Sequence, residues 1–309
     1  MNASRHYRGI FFESLCRLCA VLVLLALALI LFFIVKEGAG TLSWDFLSKA
    51  PEQGMLHGGV FPAIFGTVAI TLLMILMALP LGVSAALYLN EYAGNGKVQR
   101  LIRAAINNLA GVPSIVFGLF GVGFFILFVG RNLDRVLQTG LLFGQPALLW
   151  AAATLAVLVL PVIIVSTEEA LKSVPQSHRE AAYALGATRW QMVRRVVLPQ
   201  ALPGILTGSI LSISRGAGET APILFTGAAY YLPHLPVVKL WGVIPMVNPL
   251  DQFMELAYHI YILATQSTNV ELTRPLQYGT ALVLLALTFL LNLSAILLRV
   301  RSRKRLRRG

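Results

Sequence analysis

Of 309 residues, 57% are hydrophobic and only 12% are charged, and the formal net charge is +12. A mean hydropathy of +0.75 excludes a soluble globular domain, because a chain of this length could not hide so much apolar surface from water. The starting class is therefore an integral membrane protein.

Six apolar runs are each long enough to cross a hydrocarbon core of about 30 Å, which takes roughly 20 helical residues. The runs cover approximately 18–35, 64–89, 104–129, 147–165, 203–229 and 278–298, and only the fifth contains charged residues. The first run is too long for a signal-peptide core and is interpreted as a helix. We therefore expect an all-α integral membrane fold with six transmembrane helices.

Lys and Arg concentrate in the N-terminal tail, in 97–103, in 172–195 and in the C-terminal tail. Because cytoplasmic loops carry the excess of positive charge, both termini are expected in the cytoplasm. The basic tail then contacts anionic lipids of the phospholipid membrane, and no nucleic acid is expected as a partner. Cys16 and Cys19 have no histidine nearby, so no metal site is predicted.

The stretch between the fourth and fifth runs is polar, basic and patterned as a helical hairpin. Pro175 suits a first helical position, and Gly186 suits a left-handed helix stop. Thr188 and Gln191 form a capping box that opens a second helix, which is expected to end at Leu198-Pro199.

The tip of this hairpin carries little side-chain bulk. Ala181, Ala182 and Ala184 surround Tyr183 and Leu185, so another protein could approach the backbone closely. An ordinary amphipathic loop hairpin would explain the same pattern, and secondary-structure reasoning leaves both interpretations open.

The spacing of Glu180-Ala181-Ala182, Gly186, Val196 and Leu198-Pro199 resembles the EAA loop of ABC importer permeases, with Val196 in place of the usual Ile. In that family the short helix of the loop is a coupling helix that sits in a cleft of the ATPase. The resemblance implies that the coupling residues are Glu180, Ala181, Ala182, Tyr183, Leu185 and Gly186. The sequence has no GxxxxGK[ST] loop, so a partner ATPase is expected to bind ATP and Mg²⁺, and this chain is not expected to be an enzyme.

The fifth run contains the ionisable residues Arg215 and Glu219. A charge near the bilayer centre costs at least about 2.5–3.5 kcal/mol on insertion scales, so both side chains should face the bundle interior or a wet cavity. Their spacing of four would also allow them simply to neutralise one another.

Small residues recur beside this pair at Gly204, Gly208, Ser212 and Gly216, which predicts close helix packing. Packing does not require a cation in mid-membrane, whereas an oxyanion pathway does, because a guanidinium matches phosphate oxygens. A neighbouring carboxylate could then recognise the proton that phosphate carries.

Residues 215–222, Arg-Gly-Ala-Gly-Glu-Thr-Ala-Pro, are similar to the RxxGETAP signature of phosphate permeases. Residues 111–119 and 258–261 also look like the A-type subunit, the PstA family. The resemblance implies a role in phosphate passage for Arg215 and Glu219, with Thr220 in the same signature. Ser114 is a candidate lining residue, although its Pro-Ser-Gly context also suits a flexible packing element.

The sequence is divided into an N-terminal part (1–59), an importer permease core (60–298) that contains the EAA loop (166–200) and an outer loop (230–277), and a basic tail (299–309). Tyr230, Tyr231, Trp241, Tyr258 and Tyr261 predict short interfacial helices in the outer loop.

The resemblance implies a bacterial inner-membrane complex: a heterodimer with a C-type phosphate permease, two copies of an ATP-binding subunit and a periplasmic phosphate-binding protein. A permease for molybdate or sulfate is the alternative within this class. A proton-coupled secondary transporter is the alternative from another class, and it would predict inverted repeats, which are not evident here.

Overall fold

The computed structural model describes residues 3–306 apart from 56, 95, 241–243 and 268. In this part of the chain, six helices are long and apolar enough to cross a membrane, which confirms the predicted number. The helices are α1 (Ala3–Gly38), α2 (Trp44–Ser48), α3 (Phe61–Leu87), α4 (Lys97–Ala110), α5 (Ser114–Phe120), α6 (Arg131–Leu137), α7 (Leu148–Lys172), α8 (Gln176–Ala184), α9 (Arg189–Met192), α10 (Leu198–Gly216), α11 (Leu256–Thr265) and α12 (Val270–Leu306).

Two small antiparallel hairpins accompany the helices. Strands β1 (Pro51–Glu52) and β2 (His57–Gly58) form one, and β3 (Val237–Leu240) and β4 (Ile244–Val247) form the other. The outer loop therefore holds one short helix, α11, and a hairpin of β-branched residues rather than helices alone. Trp241 lies outside the described residues.

The core is centred on α7, which packs between α3 and α10. Buried alanines at 151–153 let neighbouring helices approach α7 closely. By contrast, α1 packs mainly along α12, and almost all of its side chains from Phe11 to Lys36 are exposed.

The third span differs from its predicted bounds of 104–129. The helix α4 ends at Ala110. The spanning segment begins afresh at Ser114 and runs through α5, a π-helical segment (Gly121–Gly130) and α6 to Leu137. Pro113 has an extended backbone, with φ −56° and ψ 139°, and it cannot donate a helical hydrogen bond. It therefore separates an amphipathic helix from the membrane helix.

The fifth span also differs, because its helix does not continue to residue 229. α10 ends at Gly216, and residues 217–227 follow as turns that are interrupted by irregular backbone at 219–220. Gly216 packs against Met74, near the middle of α3, so the helix stops about halfway across. Gly218 and Pro222 are poor helix formers and explain the stop.

The hairpin's second helix does not end at Leu198-Pro199 as predicted. α9 runs through a π-helical segment, Val193–Val197, directly into α10. Pro199, which cannot donate a helical hydrogen bond, lies just after this π-helical segment.

Candidate transport pathway and coupling hairpin

The broken end of α10 brings Arg215 and Glu219 together. Arg215 lies in the last helical turn, and its Nε donates a hydrogen bond of 3.3 Å to Oε1 of Glu219, which lies just beyond the helix. Both side chains are only partly buried, and Gly218 between them faces open space. The pair therefore presents charge at an accessible break in a membrane helix.

The turns after this pair are held by their own backbone and by neighbouring elements. The Leu224 amide donates to the Thr220 carbonyl at 3.2 Å, and the Ala147 amide at the start of α7 donates to the Thr226 carbonyl at 2.9 Å. Irregular backbone at membrane depth is tolerated where it is buried in protein or lines a cavity. Thr220 itself is partly buried within this segment.

α5 packs directly on the same turns. A Cβ added at Gly118 would lie 3.0 Å from the Ala221 carbonyl oxygen and 3.2 Å from Cα of Pro222. Ser114 is the first residue of α5, one turn before Gly118, and it is partly buried. Within the described chain, the structure gives no hydrogen bond between Ser114 and Arg215, so Ser114 adjoins the candidate pathway without joining the pair.

The helical hairpin follows the predicted local chemistry. Gly186 adopts φ +79°, the left-handed conformation expected of a helix stop. The Thr188 hydroxyl accepts from the Gln191 amide at 3.3 Å, and the Gln191 side chain accepts from the Thr188 amide at 2.9 Å, which confirms the capping box. These two devices fix the angle between α8 and α9.

Most of the predicted coupling residues lie on the hairpin's free surface. Leu185 is 89% exposed, and Glu180, Ala181, Tyr183 and Gly186 are exposed as well. Exposed apolar side chains at a tip are typical of a docking surface. Ala182 differs, because it is buried against a cluster that includes Leu171, Val174 and Met192 of the same chain.

Sequence reasoning missed the residues that hold this hairpin against the membrane helices. The π-helical segment Tyr88–Tyr92 extends α3, and its Glu91 accepts a hydrogen bond of 3.0 Å from Nη2 of Arg179 on α8. Its neighbour Tyr92 lies beneath the guanidinium of Arg189 on α9, with Cζ 5.1 Å from the ring centroid. The one available sequence signal was a carboxylate placed directly after an apolar run.

Solved structures of similar fold define the architectural class. A bacterial alginate ABC transporter in complex with its periplasmic protein matches with a TM-score of 0.64 at 16% identity, covering 94% of each chain. An inward-facing MetNI methionine ABC transporter matches with a TM-score of 0.55 at 21% identity, covering 79% of this chain and 94% of that one. The fold is therefore that of a type I ABC importer permease.

Sequence comparison identifies the family within this class. Residues 78–308 match the model of the binding-protein-dependent transport system inner membrane component, and the chain belongs to this family. It is 33% identical to the probable ABC transporter permease protein YqgI of Bacillus subtilis, over 90% of each chain. It is 35% identical to the phosphate transport system permease protein PstA 1 of Mycobacterium tuberculosis, over 92% of this chain and 86% of that one.

A third relative, the phosphate transport system permease protein PstA of Xylella fastidiosa, is 31% identical over 87% of this chain and 85% of its own length. These relatives confirm the resemblance to the A-type phosphate permeases. The chain is accordingly a multi-span inner-membrane transport subunit and not an enzyme.

Proposed function

We propose that this chain is the A-type permease subunit of an ATP-driven importer of inorganic phosphate. The observation that carries the proposal is the fifth membrane helix, which stops halfway across and ends in the Arg215–Glu219 pair. Relatives named as phosphate permeases support the choice of substrate. Molybdate or sulfate remains the alternative cargo.

The chemistry of the pair suits a hydrated phosphate in transit. Arg215 engages Glu219 through Nε only, so its two Nη groups can point to an anion. Glu219 can accept a hydrogen bond from a protonated phosphate oxygen, and Thr220 and Ser114 lie on the elements that adjoin the pair. Binding at a partly exposed pair is also weak enough to allow release.

In this proposal the hairpin lies in the cytoplasm together with both chain termini. Its exposed residues, Glu180, Ala181, Tyr183, Leu185 and Gly186, enter a cleft of the ATP-binding subunit, while Ala182 supports α8 from beneath. Two copies of that subunit bind ATP and Mg²⁺, one on this chain and one on a C-type permease that completes the pathway. ATP-driven closure would move both hairpins.

The opposite side would receive a periplasmic phosphate-binding protein. There α11 packs on α12 and α3, and Val238, Met246 and Tyr261 of the outer loop are exposed. Exposed apolar side chains in this loop would suit a transient partner.

The test uses the complete complex in liposomes, with uptake of radiolabelled phosphate measured after assembly has been verified. Arg215→Gln should lower uptake by at least about a hundredfold, because a mid-membrane phosphate then loses its fixed cation. The matched control is Arg274→Gln, which removes a peripheral arginine 3.9 Å from Glu37, and it should leave uptake unchanged.

Three results would contradict the proposal. Normal uptake by Arg215→Gln would leave the pair with a structural role only. Faster uptake of molybdate or sulfate than of phosphate would change the cargo. Uptake without ATP-binding subunits would indicate a secondary transporter.

A further inference from the structure

The hairpin contacts the π-helical extension at the C-terminal end of α3 through two adjacent residues. Glu91 binds Arg179 of α8, and Tyr92 lies beneath Arg189 of α9, so each helix of the hairpin has its own contact with this end. Both contacts come from the π-helical segment, whose wider turn offsets its side chains from those of the preceding α-helix. We call Glu91, Tyr92, Arg179 and Arg189 the α3 joint.

The centre of this joint is largely buried and carries several hydrogen bonds. Besides Glu91, Arg179 donates to the Leu171 carbonyl at 2.9 Å and to the Val174 carbonyl at 2.6 Å. The side-chain amide of Asn90 donates a hydrogen bond of 2.7 Å to Oε1 of Glu91. Since a guanidinium presents its donors in a rigid fork, this arrangement fixes the start of α8 in both position and angle.

A cavity of about 630 Å³ adjoins the joint, lined among others by Asn90, Lys172 and Tyr183. The hairpin is thus held at defined points with open space beside them. Force applied to the hairpin would therefore reach α3 through these contacts.

The other part of α3 touches the candidate pathway. A Cβ added at Gly216 would overlap the sulfur of Met74, so α3 and the end of α10 are in direct contact beside Arg215. Met74 and Glu91 are 17 residues apart, which corresponds to roughly 26 Å along a helix. α3 also packs closely on α7, where Gly82 faces Ile163.

We propose that α3 transmits the movement of the hairpin to the Arg215–Glu219 pair, and that Glu91 is a positioning residue for coupling at the α3 joint. This rests on the proposed function, since it requires an ATPase seated on the hairpin. The chain offers a second connection, because α9 continues into α10. Loss of Glu91 leaves that connection intact, so the two routes can be separated.

The test measures nucleotide-driven movement at the pathway itself. Cys16 and Cys19 are replaced by alanine, and Gly218→Cys places a thiol in the open space between Arg215 and Glu219. In the complete complex, ATP with Mg²⁺ should change the thiol labelling rate by at least about fivefold, the range of a typical coupling free energy. Glu91→Gln should reduce this response to less than about twofold while ATP hydrolysis persists.

Glu168→Gln is the matched control. Glu168 is a buried carboxylate on α7 that forms ion pairs with Arg103 of α4 at 3.3 Å and with Lys172 at 3.4 Å, and neither of these pairs includes a residue of α8 or α9. Its replacement should leave the labelling response unchanged. Arg179→Lys retains the charge but loses the fork, and it should weaken the response to an intermediate level.

A full labelling response in Glu91→Gln would overturn the proposal. If Glu91→Gln does not assemble, Arg179→Lys decides the question by the same readout, and a full response there would overturn it equally. The labelling needs nucleotide but no phosphate. A complex that responds to ATP yet carries no phosphate would therefore contradict the proposed substrate and leave the role of α3 standing.

Discussion

Two ion pairs of the same chemical type differ sharply in how the protein surrounds them. At the α3 joint, the side chains of Arg179 and Glu91 are 11% and 6% exposed, and two backbone carbonyl oxygens accept further hydrogen bonds from the guanidinium. At the end of α10, Arg215 and Glu219 are 36% and 20% exposed, and a single hydrogen bond of 3.3 Å joins them.

The difference separates a structural pair from a pair available to a ligand. A buried pair is tolerable only when its hydrogen bonds are satisfied, and such a network fixes one geometry. A partly exposed pair with unused donors can exchange its partner for a passing anion at small cost. The distinction can be tested on the stability of the purified chain in detergent.

Removal of one arginine from each pair should have the largest and most unequal effects. Arg179→Ala leaves Glu91 buried without a cation and should lower the free energy of unfolding by about 3–5 kcal/mol. Arg215→Ala should lower it by less than about 1 kcal/mol, because Glu219 stays accessible to water. Denaturant unfolding followed by tryptophan fluorescence measures both, and equal losses would contradict the distinction.

Another buried carboxylate sharpens the comparison, because no arginine or lysine of the described residues is paired with it. Glu255, the N-cap of α11 in the outer loop, accepts from the Tyr258 amide at 2.7 Å. Burial outweighs such hydrogen bonds and raises the pKa of the Glu255 carboxyl to about 7. Burial also lowers the pKa of His259, one turn later, to about 4.

These two shifts have opposite consequences for stability. The raised pKa of Glu255 gives stability that is present below pH 4.5 and lost as the pH rises to about 7. The lowered pKa of His259 gives stability that is present above pH 6.5 and lost as the pH falls to about 4. Between pH 4.5 and 6.5 the two effects oppose one another, so the stability of the wild type should depend less on pH there than that of either single variant.

Each single variant should therefore show the pH dependence of stability that the other residue causes. Glu255→Gln should become more stable as the pH rises from 4.5 to 6.5, and His259→Gln should become less stable, each by on the order of 3 kcal/mol. Thermal unfolding at both pH values measures the slopes. A flat profile in either variant would contradict the assigned pKa shift.

Local patterns predicted much of this molecule. Apolar run length gave the six spans, and Gly186 with the Thr188–Gln191 box gave the hairpin, because these signals depend on residues close together in sequence. The Glu91–Arg179 contact could not be predicted in the same way. Its residues are 88 positions apart, and only the packing of α3 beside the hairpin brings them together.

The break in the fifth span was also beyond the sequence pattern. Hydropathy continues past Gly216 and favours an unbroken helix, as Arg215 and Glu219 at a spacing of four also suggested. The turns at 217–227 persist because α5 packs against them and the Ala147 amide at the start of α7 donates a hydrogen bond to the Thr226 carbonyl. Such compensation comes from tertiary structure.

The smallest predicted effect on stability concerns two glycines, one within α10 and one beside the Arg215–Glu219 pair. A Cβ at Gly208 would overlap the Ser166 side chain of α7, whereas a Cβ at Gly218 meets nothing within 4 Å. Gly208→Ala should therefore lower the free energy of unfolding by about 1–3 kcal/mol, the usual cost of overpacking. Gly218→Ala is the matched control and should change it by less than about 0.5 kcal/mol. Equal effects in denaturant unfolding would mean that the break is packed as tightly as the helix before it, and the pair at Arg215 would then have no room for an anion.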